Sequence, residues 1–202
     1  MPRGVAIPDL REQLFGAAER LVVRDGPSGL SSRAITTEAG CAKGVLHNHF
    51  TDLDGFLAEF VLTRFRTALH HVSELPGKAG QATVEDNLAE TTASLFGPSV
   101  LAAHSILMLR PSVAARVRET RAHRSPNLGD MEQIFTAYLD AEKEFGRVLA
   151  DADTRAVALA LVATAQHILM ARQTNPTEAS EALQHVLVVL LTATTPPDER
   201  RE

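Results

Sequence analysis

The sequence predicts an all-α protein of about nine helices. Aromatic residues make up only 4% of the 202-residue chain, and apolar residues seldom alternate with polar ones. Both observations disfavour β-strands, which are rich in aromatic and β-branched side chains. Apolar residues recur instead three and four positions apart along most of the chain, the spacing of one helix face. The apolar content of 45% is enough for these helices to bury a common core.

The first predicted helix begins near Pro8 and ends at Gly26-Pro27, two residue types that stop a helix. Asp9 and Glu12 have the spacing of a capping box at its start. Residues 1–7 show no periodicity, and we expect them to form a loose arm. The apolar residues that give this helix one buried face are Leu10, Leu14, Ala17, Ala18, Leu21 and Val22.

Residues 31–50 predict two short helices separated by a tight turn, a helix-turn-helix. Ser31 is a favourable N-cap for the first, because its hydroxyl can accept a hydrogen bond from a backbone N–H without a helical partner. Gly40 ends that helix, since glycine adopts a left-handed conformation without Cβ strain. In the second helix, Leu46 and Phe50 lie four positions apart and face inward. The residues left pointing away from the core are Lys43, Gly44, Val45, His47, Asn48 and His49.

A long helix is predicted from Asp52 or Asp54 to Val72, with its apolar residues on one stripe. Residues 75–82 contain proline and glycine and are predicted to form a loop. Four further helices follow at residues 84–96, 100–109, 113–122 and 131–145, separated by Gly97-Pro98, Arg110-Pro111 and a loop at 125–129.

Two C-terminal segments, residues 154–172 and 179–191, are predicted helices that are apolar almost all round. A surface helix keeps one polar face in water, so something must cover both faces of each segment. We expect one face to pack on its own subunit and the other on a second copy, giving a four-helix interface in a homodimer. A helix pair wholly buried inside a monomer is the open alternative. The residues predicted to form the dimer contact are Val157, Leu161, Ile168, Leu183, Val186, Leu187 and Leu190.

The helix-turn-helix resembles that of the tetracycline-repressor (TetR) family. The family pattern combines isoleucine-alanine, alanine-glycine-valine-serine and leucine-tyrosine-x-histidine-phenylalanine. This chain has Ile35-Thr36, Ala39-Gly40-Cys41-Ala42 and Leu46-His47-Asn48-His49-Phe50 at the corresponding positions. The resemblance covers roughly residues 10 to 60, since Gly26 and Gly29 upstream and Asp54 and Leu57 downstream also match.

The resemblance implies a three-helix DNA-binding domain over residues 1–51, a helical effector-binding and dimerisation domain over residues 52–195, and a flexible tail over residues 196–202. It further implies a homodimeric transcriptional repressor that binds a palindromic double-stranded DNA operator through the major groove. The single cysteine and the lack of a signal-peptide pattern lead us to expect a cytoplasmic protein, and we expect no enzymatic role because no catalytic set stands out. A small-molecule effector of unknown identity would release the operator. Effector and operator would then prefer different dimer geometries, so each would weaken binding of the other.

Three departures from the family pattern support a second hypothesis. Ala42 replaces the serine or threonine that usually caps the recognition helix, and His47 and Leu53 replace a tyrosine and a lysine that contact phosphates. The alternative is a helical small-molecule-binding or scaffold protein whose degenerate helix-turn-helix does not bind DNA.

The chemistry of the outward-facing residues suits contacts with a duplex. Lys43 can donate to guanine, Asn48 can pair with adenine, and Val45 can contact a thymine methyl group. Gly44 lets the backbone approach DNA closely. The residues better suited to phosphates, which position a protein without reading sequence, are Ser31, Ser32, Arg33, His47 and His49.

The net charge of −5 is unevenly distributed along the chain. Residues 1–50 contain six Lys/Arg and five Asp/Glu, a balance of +1, so the remainder carries −6. A mildly basic N-terminal part suits DNA binding at one end of the protein, because affinity for DNA comes largely from displaced counterions.

The middle and C-terminal helices carry apolar and polar groups in the same segments, a mixture typical of small-molecule cavities. The resemblance implies an effector held between these helices. The candidate ligand-binding residues are Phe60, Phe96, His104, Met108, Phe135, Tyr138, Gln166, His167 and Met170.

The sequence shows no catalytic set and no metal or cofactor motif. His47 and His49 are two positions apart, so on a helix they point in different directions and cannot close on one metal ion. Cys41, the only cysteine, is expected to be a small core residue rather than a redox sensor. No apolar stretch has the length of a signal peptide core or a membrane span, so no membrane partner is expected.

Overall fold

The all-α fold class is confirmed. The computed structural model describes residues 7–121, 128–170 and 176–196, and within these ranges the chain forms ten α-helices and two 3₁₀ turns, with no strand. The 3₁₀ turns are Pro27–Gly29 and Leu75–Lys78. The helices are α1 (Ile7–Asp25), α2 (Ser32–Glu38), α3 (Val45–His49), α4 (Leu53–Ser73), α5 (Val84–Ser94), α6 (Pro98–Leu109), α7 (Pro111–Arg121), α8 (Leu128–Glu144), α9 (Thr154–Met170) and α10 (Pro176–Thr192).

The predicted helices match the observed ones closely, and the differences are local. The recognition helix α3 has only five residues, and the predicted loop at 75–82 begins with a 3₁₀ turn. Most of the predicted arm (1–7), loop (125–129) and tail (196–202) lies outside the described residues.

The chain divides into two compact units, of which the first comprises the described residues of Met1–Phe65 and Pro98–Arg124. This unit is wider than the predicted DNA-binding domain of residues 1–51. The reason is that the first part of α4, together with α6 and α7, contributes Phe56, Ile106 and Val113 to the same core as α1–α3. Non-directional burial of apolar area can unite helices that are far apart in sequence.

An aromatic cluster lies at the centre of the first unit. The ring of Phe50 meets that of Phe56 edge-on, with centroids 4.9 Å apart, and Phe15 lies 5.4 Å from Phe56 and 5.7 Å from Phe60. Tilted and edge-on ring pairs at these distances are favourable beyond the area they bury. The cluster therefore packs α1, the residue that follows α3, and α4 against one another.

The second unit comprises the described residues of Arg66–Gly97 and Ser125–Glu202. In it α8 packs against α9 and the 3₁₀ turn at Leu75–Lys78, and α10 packs against α5 and α9. The largest fully buried side chains of this unit belong to α8 and α5 and to the 3₁₀ turn, and they are Tyr138, Phe135, Leu139, Leu88 and Leu75.

A buried carboxylate stabilises the loop that precedes α5. Glu142 has no exposed surface, and both its oxygens accept hydrogen bonds of 2.8 Å from Arg147. Arg147 also donates to the carbonyl of Ala82 at 2.7 Å. Asn87 donates to the hydroxyl of Tyr138 at 3.0 Å and to the carbonyl of Gln81 at 2.7 Å. Satisfied polar groups of this kind fix one arrangement of a loop against a core.

We predict that Gly40→Ala destabilises the protein by about 1–2 kcal/mol, because Gly40 has a left-handed backbone (φ +66°) that an L-residue adopts with strain. No heavy atom lies within 4 Å of the position its Cβ would take, so steric crowding contributes nothing. Urea denaturation would measure the change in the free energy of unfolding.

Gly44→Ala is the matched control. The space around a Cβ at Gly44 is equally open, but its φ is −80°, an ordinary value for alanine. We expect no loss of stability, since alanine there only restricts the unfolded chain. Equal losses for both variants would show that backbone strain at Gly40 is not the cause.

Candidate nucleic-acid interface

The first helix of the helix-turn-helix is held at both ends. Ser31 caps α2 as predicted, its hydroxyl accepting a hydrogen bond of 3.1 Å from the N–H of Ala34. At the other end, the side chain of Gln13 in α1 donates to the carbonyl of Ala39 at 2.7 Å. Both bonds satisfy backbone groups that a helix terminus leaves without partners.

The turn is a Schellman motif centred on Gly40. The N–H of Cys41 donates to the carbonyl of Thr36 at 2.8 Å, and the N–H of Gly40 donates to that of Thr37 at 3.1 Å. This pattern requires a left-handed residue at Gly40, which the structure shows. The thiol of Cys41 is partly buried and lies 3.6 Å from the carbonyl oxygen of Ala39.

The recognition helix is anchored as predicted but starts later than the sequence suggests. Leu46 is fully buried and Phe50 is 5% exposed, which confirms that both face inward. The helix begins at Val45 with Gly44 at the N-cap and without a side-chain cap. Because Ala42 and Gly44 offer no hydroxyl, the backbone N–H groups gain no side-chain acceptor there, and a helix start nearer Ala42 is not stabilised.

The structure brings the predicted DNA-binding residues together on the helix-turn-helix with different exposures. Lys43 and Gly44 lie in the turn that leads into α3, and His47 and Asn48 lie on α3; all four are exposed. Val45 is partly buried because it packs against the core, so less of it is accessible than predicted. The remaining candidates are exposed (Ser31, Arg33) or partly exposed (Ser32, His49).

Ion pairs neutralise some of the positive charges near the helix-turn-helix. Arg20 and Arg24 of α1 bind Glu38 at 2.8 and 3.1 Å, and these hydrogen bonds lower the pKa of Glu38. Within the described part of the chain, Arg33 and Lys43 have no acidic partner. Among the described residues of this surface, Arg33 and Lys43 therefore keep a positive charge that no carboxylate pairs with.

Two arginines that the sequence did not single out also contact this region. Arg110, after α6, donates to the carbonyl of Leu30 at 2.7 Å, and Arg116 of α7 forms two hydrogen bonds with Asp52 at 2.7 and 2.6 Å. They are 80 and 64 positions from their partners, so no local pattern could have revealed them.

The candidate ligand-binding residues are divided between the two units. Phe60, His104 and Met108 belong to the first, where Phe60 is fully buried in the aromatic cluster and Met108 is 51% exposed. The candidates in the second unit are Phe96, Phe135, Tyr138, Gln166 and His167, whereas the side chain of Met170 lies outside the described ones. Their role stays a prediction.

Two candidates have distinctive polar surroundings. In the part of the chain that the structure describes, Nε2 of His104 is a buried atom without a hydrogen-bond partner. Burial raises the pKa of Tyr138 because it disfavours the phenolate, and the adjacent Glu142 acts in the same direction. Tyr138 therefore stays a neutral hydroxyl.

A pocket of about 260 Å³ lies between α5 and α10 in the second unit. None of the predicted ligand-binding residues lines it. Its walls are formed by Ala89, Glu90, Thr92, Ala93, Leu183 and Gln184.

The predicted dimer residues lie mostly on the covered side of α9 and α10. Four of them are at most 7% exposed within their own subunit: Val157, Leu161, Leu183 and Leu187. The other three, Ile168, Val186 and Leu190, are partly exposed. Among the described side chains of these two helices, the large apolar ones that are exposed are Leu159, Val188 and Val189.

Two further findings concern the residues that the structure describes. No group of three or more His, Cys, Asp or Glu side chains among them could hold a metal ion. No single helix among them is long and apolar enough to cross a bilayer, although α5 and α6 taken together reach that length and composition.

We predict that His104 makes stability fall as the pH is lowered below about 6.5, because burial lowers the pKa of its imidazole in the folded state. The unfolded chain then takes up a proton that the folded protein does not. His104→Gln should lose less free energy of unfolding than the wild type between about pH 7.5 and about pH 5.5 in urea titrations. The exposed His167→Gln serves as control and should behave like the wild type.

Comparisons with known proteins agree with this geometry. No protein-family model matches the chain. It is 24% identical over 151 residues to the HTH-type nicotine-responsive transcriptional repressor HdnoR of Paenarthrobacter nicotinovorans, a match covering 75% of this chain and 73% of the relative.

Solved structures match over nearly the whole chain. A protein of Mesorhizobium loti assigned to the TetR family of transcriptional regulators has a TM-score of 0.65 at 14% identity, covering 96% of this chain and 100% of that one. A γ-butyrolactone receptor (ArpA-like protein) has a TM-score of 0.65 at 21% identity, covering 98% and 94%. The chain therefore has the fold of the TetR-family transcriptional regulators, as the resemblance of its helix-turn-helix predicted.

Proposed function

We propose that this protein is a ligand-responsive, homodimeric transcriptional repressor that binds a palindromic operator through the major groove and releases it when a small-molecule effector binds. The observation that carries the proposal is the helix-turn-helix, in which Leu46 and Phe50 are buried while Lys43, His47 and Asn48 are exposed. In this proposal the protein acts in the cytoplasm, where its operator DNA is.

Base contacts in this proposal come from the turn and from α3. The amine of Lys43 donates to guanine, and the amide of Asn48 pairs with adenine. Gly44 has open space where a Cβ would stand, so DNA can approach its backbone closely.

Phosphate contacts come from the residues around the base-reading ones. The oxygen of Ser31 accepts from the backbone of Ala34, which leaves its O–H free to donate to a phosphate. The exposed guanidinium of Arg33 and the exposed imidazole of His47 add donors. These contacts would position the protein on the duplex without reading sequence.

A homodimer would read two half-sites related by a twofold axis, about 34–36 Å apart or a multiple of that distance. Leu159 on α9 and Val188 and Val189 on α10 are exposed apolar side chains, and the neighbouring Ala156 and Ala163 on α9 are small. Small residues beside exposed apolar ones let helices of two subunits approach closely and exclude water.

A small organic effector is the ligand class that we propose. One relative is named for its response to nicotine and one solved structure is a γ-butyrolactone receptor. In the first unit, Nε2 of His104 is a buried atom to which no described residue gives a hydrogen bond, so it is a polar group that could orient such a molecule.

We predict that Lys43→Ala lowers affinity for the best duplex recovered by in vitro selection with the wild type by about tenfold, or changes the preferred sequence, because a base contact is lost. Gel shifts over a salt series would measure affinity, and wild-type binding should fall steeply as salt rises. Arg66→Ala, which removes an exposed positive charge from α4 in the second unit, is the control and should keep the sequence preference.

The same assay distinguishes the alternative function. If the wild type selects no sequence and shifts no duplex at low salt, the proposal is wrong and a small-molecule-binding or scaffold protein is favoured. Unchanged preference in Lys43→Ala would instead remove only Lys43 from the base-reading residues.

We predict that Val189→Asp converts the dimer into a monomer, because it places a charge where the proposed interface excludes water. Val189 is 58% exposed in the subunit, so the substitution should leave the fold intact. Analytical ultracentrifugation would measure the mass. Val23→Asp, at a valine that is 69% exposed on α1, is the matched control and should remain dimeric.

A further inference from the structure

Arg110, between α6 and α7, and Arg116 of α7 contact the two ends of the helix-turn-helix. At the first end, Nη2 of Arg110 donates to the carbonyl of Leu30 at 2.7 Å. Leu30 immediately precedes Ser31, the N-cap of α2. Nη1 of Arg110 also lies 3.8 Å from a carboxylate oxygen of Asp54 in the first turn of α4. Arg110 therefore holds the chain just before the helix-turn-helix close to the helix that follows it.

At the second end, Arg116 of α7 holds the residue that connects α3 to α4. Its two terminal nitrogens donate to the two oxygens of Asp52 at 2.7 and 2.6 Å, a bidentate pair. One of these oxygens also accepts from the N–H of Gly55 at 2.7 Å, so Asp52 caps α4. The hydrogen bonds from Arg116, and then that from Gly55, lower the pKa of Asp52.

The pair of Arg116 and Asp52 lies close to the backbone of Gly55. A Cβ added at Gly55 would lie 3.1 Å from Nη1 of Arg116 and 3.3 Å from Oδ1 of Asp52. The glycine thus allows the guanidinium to lie close to the start of α4. Bidentate arginine–carboxylate bonds combine two directional contacts and fix the relative orientation of the groups they join.

Besides the contacts of these two arginines, the hydroxyl of Ser99 on α6 bonds to the carboxylate of Glu19 on α1 at 2.8 Å, and α6 and α7 also make apolar contacts in this unit. Ala103, Ile106, Val113 and Val117 are buried in the common core. Apolar burial has no preferred direction, so it stabilises the association of helices without fixing their orientation to a fraction of an ångström. Directional bonds at Leu30 and Asp52 can supply that orientation.

We propose that Arg110 and Arg116 are positioning residues that orient the helix-turn-helix for reading DNA sequence. This inference rests on the proposed DNA-binding function. We call the two arginines with Leu30 and Asp52 the arginine bracket. Binding sites work when supporting residues hold the contacting groups within about 0.5 Å of the productive geometry. Loss of the bracket should therefore weaken specific binding more than it weakens the fold, because a partly exposed ion pair contributes little to stability.

The charge of each partner allows positioning to be separated from simple electrostatics. Asp52→Asn removes a negative charge, so electrostatics alone would strengthen DNA binding. Asparagine caps helices about as well as aspartate, so the start of α4 is retained. If the bracket positions the helix-turn-helix, Asp52→Asn should instead weaken specific DNA binding, because the charge-assisted bidentate pair is lost.

The experiment measures affinities of the full-length protein for its selected duplex and for a scrambled duplex of equal length. Arg116→Met is compared with Arg118→Met, which removes the same charge from an exposed position on the same helix. Arg116→Met should lower specific affinity about tenfold relative to Arg118→Met, with equal binding to scrambled DNA. Arg110→Met and Asp52→Asn should change specific affinity in the same direction. Adding Asp52→Asn to Arg116→Met should cause little further loss, because the pair is already broken.

Thermal melting of each variant shows that it is folded under the assay conditions. Tighter specific binding by Asp52→Asn, or equal affinities for Arg116→Met and Arg118→Met, would overturn the bracket while the proposed function stands. Full additivity in the double variant would also overturn it. If the wild type shows no specific DNA binding, the proposed function is wrong. The proposed role of the bracket in reading DNA is then wrong as well.

Discussion

The burial of Leu46 and Phe50 against the aromatic cluster is the interaction on which the first unit depends. Phe50 contacts Phe56, and Phe15 contacts both. A five-residue helix has too few internal hydrogen bonds to be stable alone, so its conformation is imposed by this packing. Once Leu46 on α3 and Phe50 directly after it are fixed inside, the helical period decides which residues of α3 face outward.

Charge compensation within the first unit supports the same arrangement. Arg11 pairs with Glu59 and lies over the ring of Phe50, and Arg64 pairs with Glu12 and lies over the rings of Phe15 and Phe60. Cations on aromatic faces gain electrostatic energy without being buried completely. Ion pairs within the unit neutralise the charges of Arg11 and Arg64, whereas Arg33 and Lys43 are exposed and have no carboxylate partner among the described residues.

The second unit contains two helices, α9 and α10, whose sequences are apolar on nearly every side. One side of α9 and α10 is covered by α8, α5 and each other. Leu159, Val188 and Val189 remain exposed on the other side. Exposed apolar groups on adjacent helices are typical of surfaces that bind a partner, which is the basis of the proposed homodimer.

The ion pair of Glu142 and Arg147 orders the loop before α5 without any contribution from those faces.

The sequence by itself determined the features that depend on neighbours within about one helical turn. The N-cap at Ser31, the left-handed Gly40 and the inward pair of Leu46 and Phe50 were all predictable, because each rests on backbone chemistry or helical periodicity within a few residues. The helix boundaries followed from proline, glycine and apolar spacing for the same reason.

Tertiary structure alone decided the rest. Asp52 and Arg116 are 64 positions apart, so only the packing of α7 on the core could bring them together. The sequence identified α9 and α10 as apolar all round, and the burial of Val157 and Leu187 with exposure of Val189 was then set by which neighbours cover them. Local rules act within a turn, whereas contacts between distant segments depend on how all helices share one core.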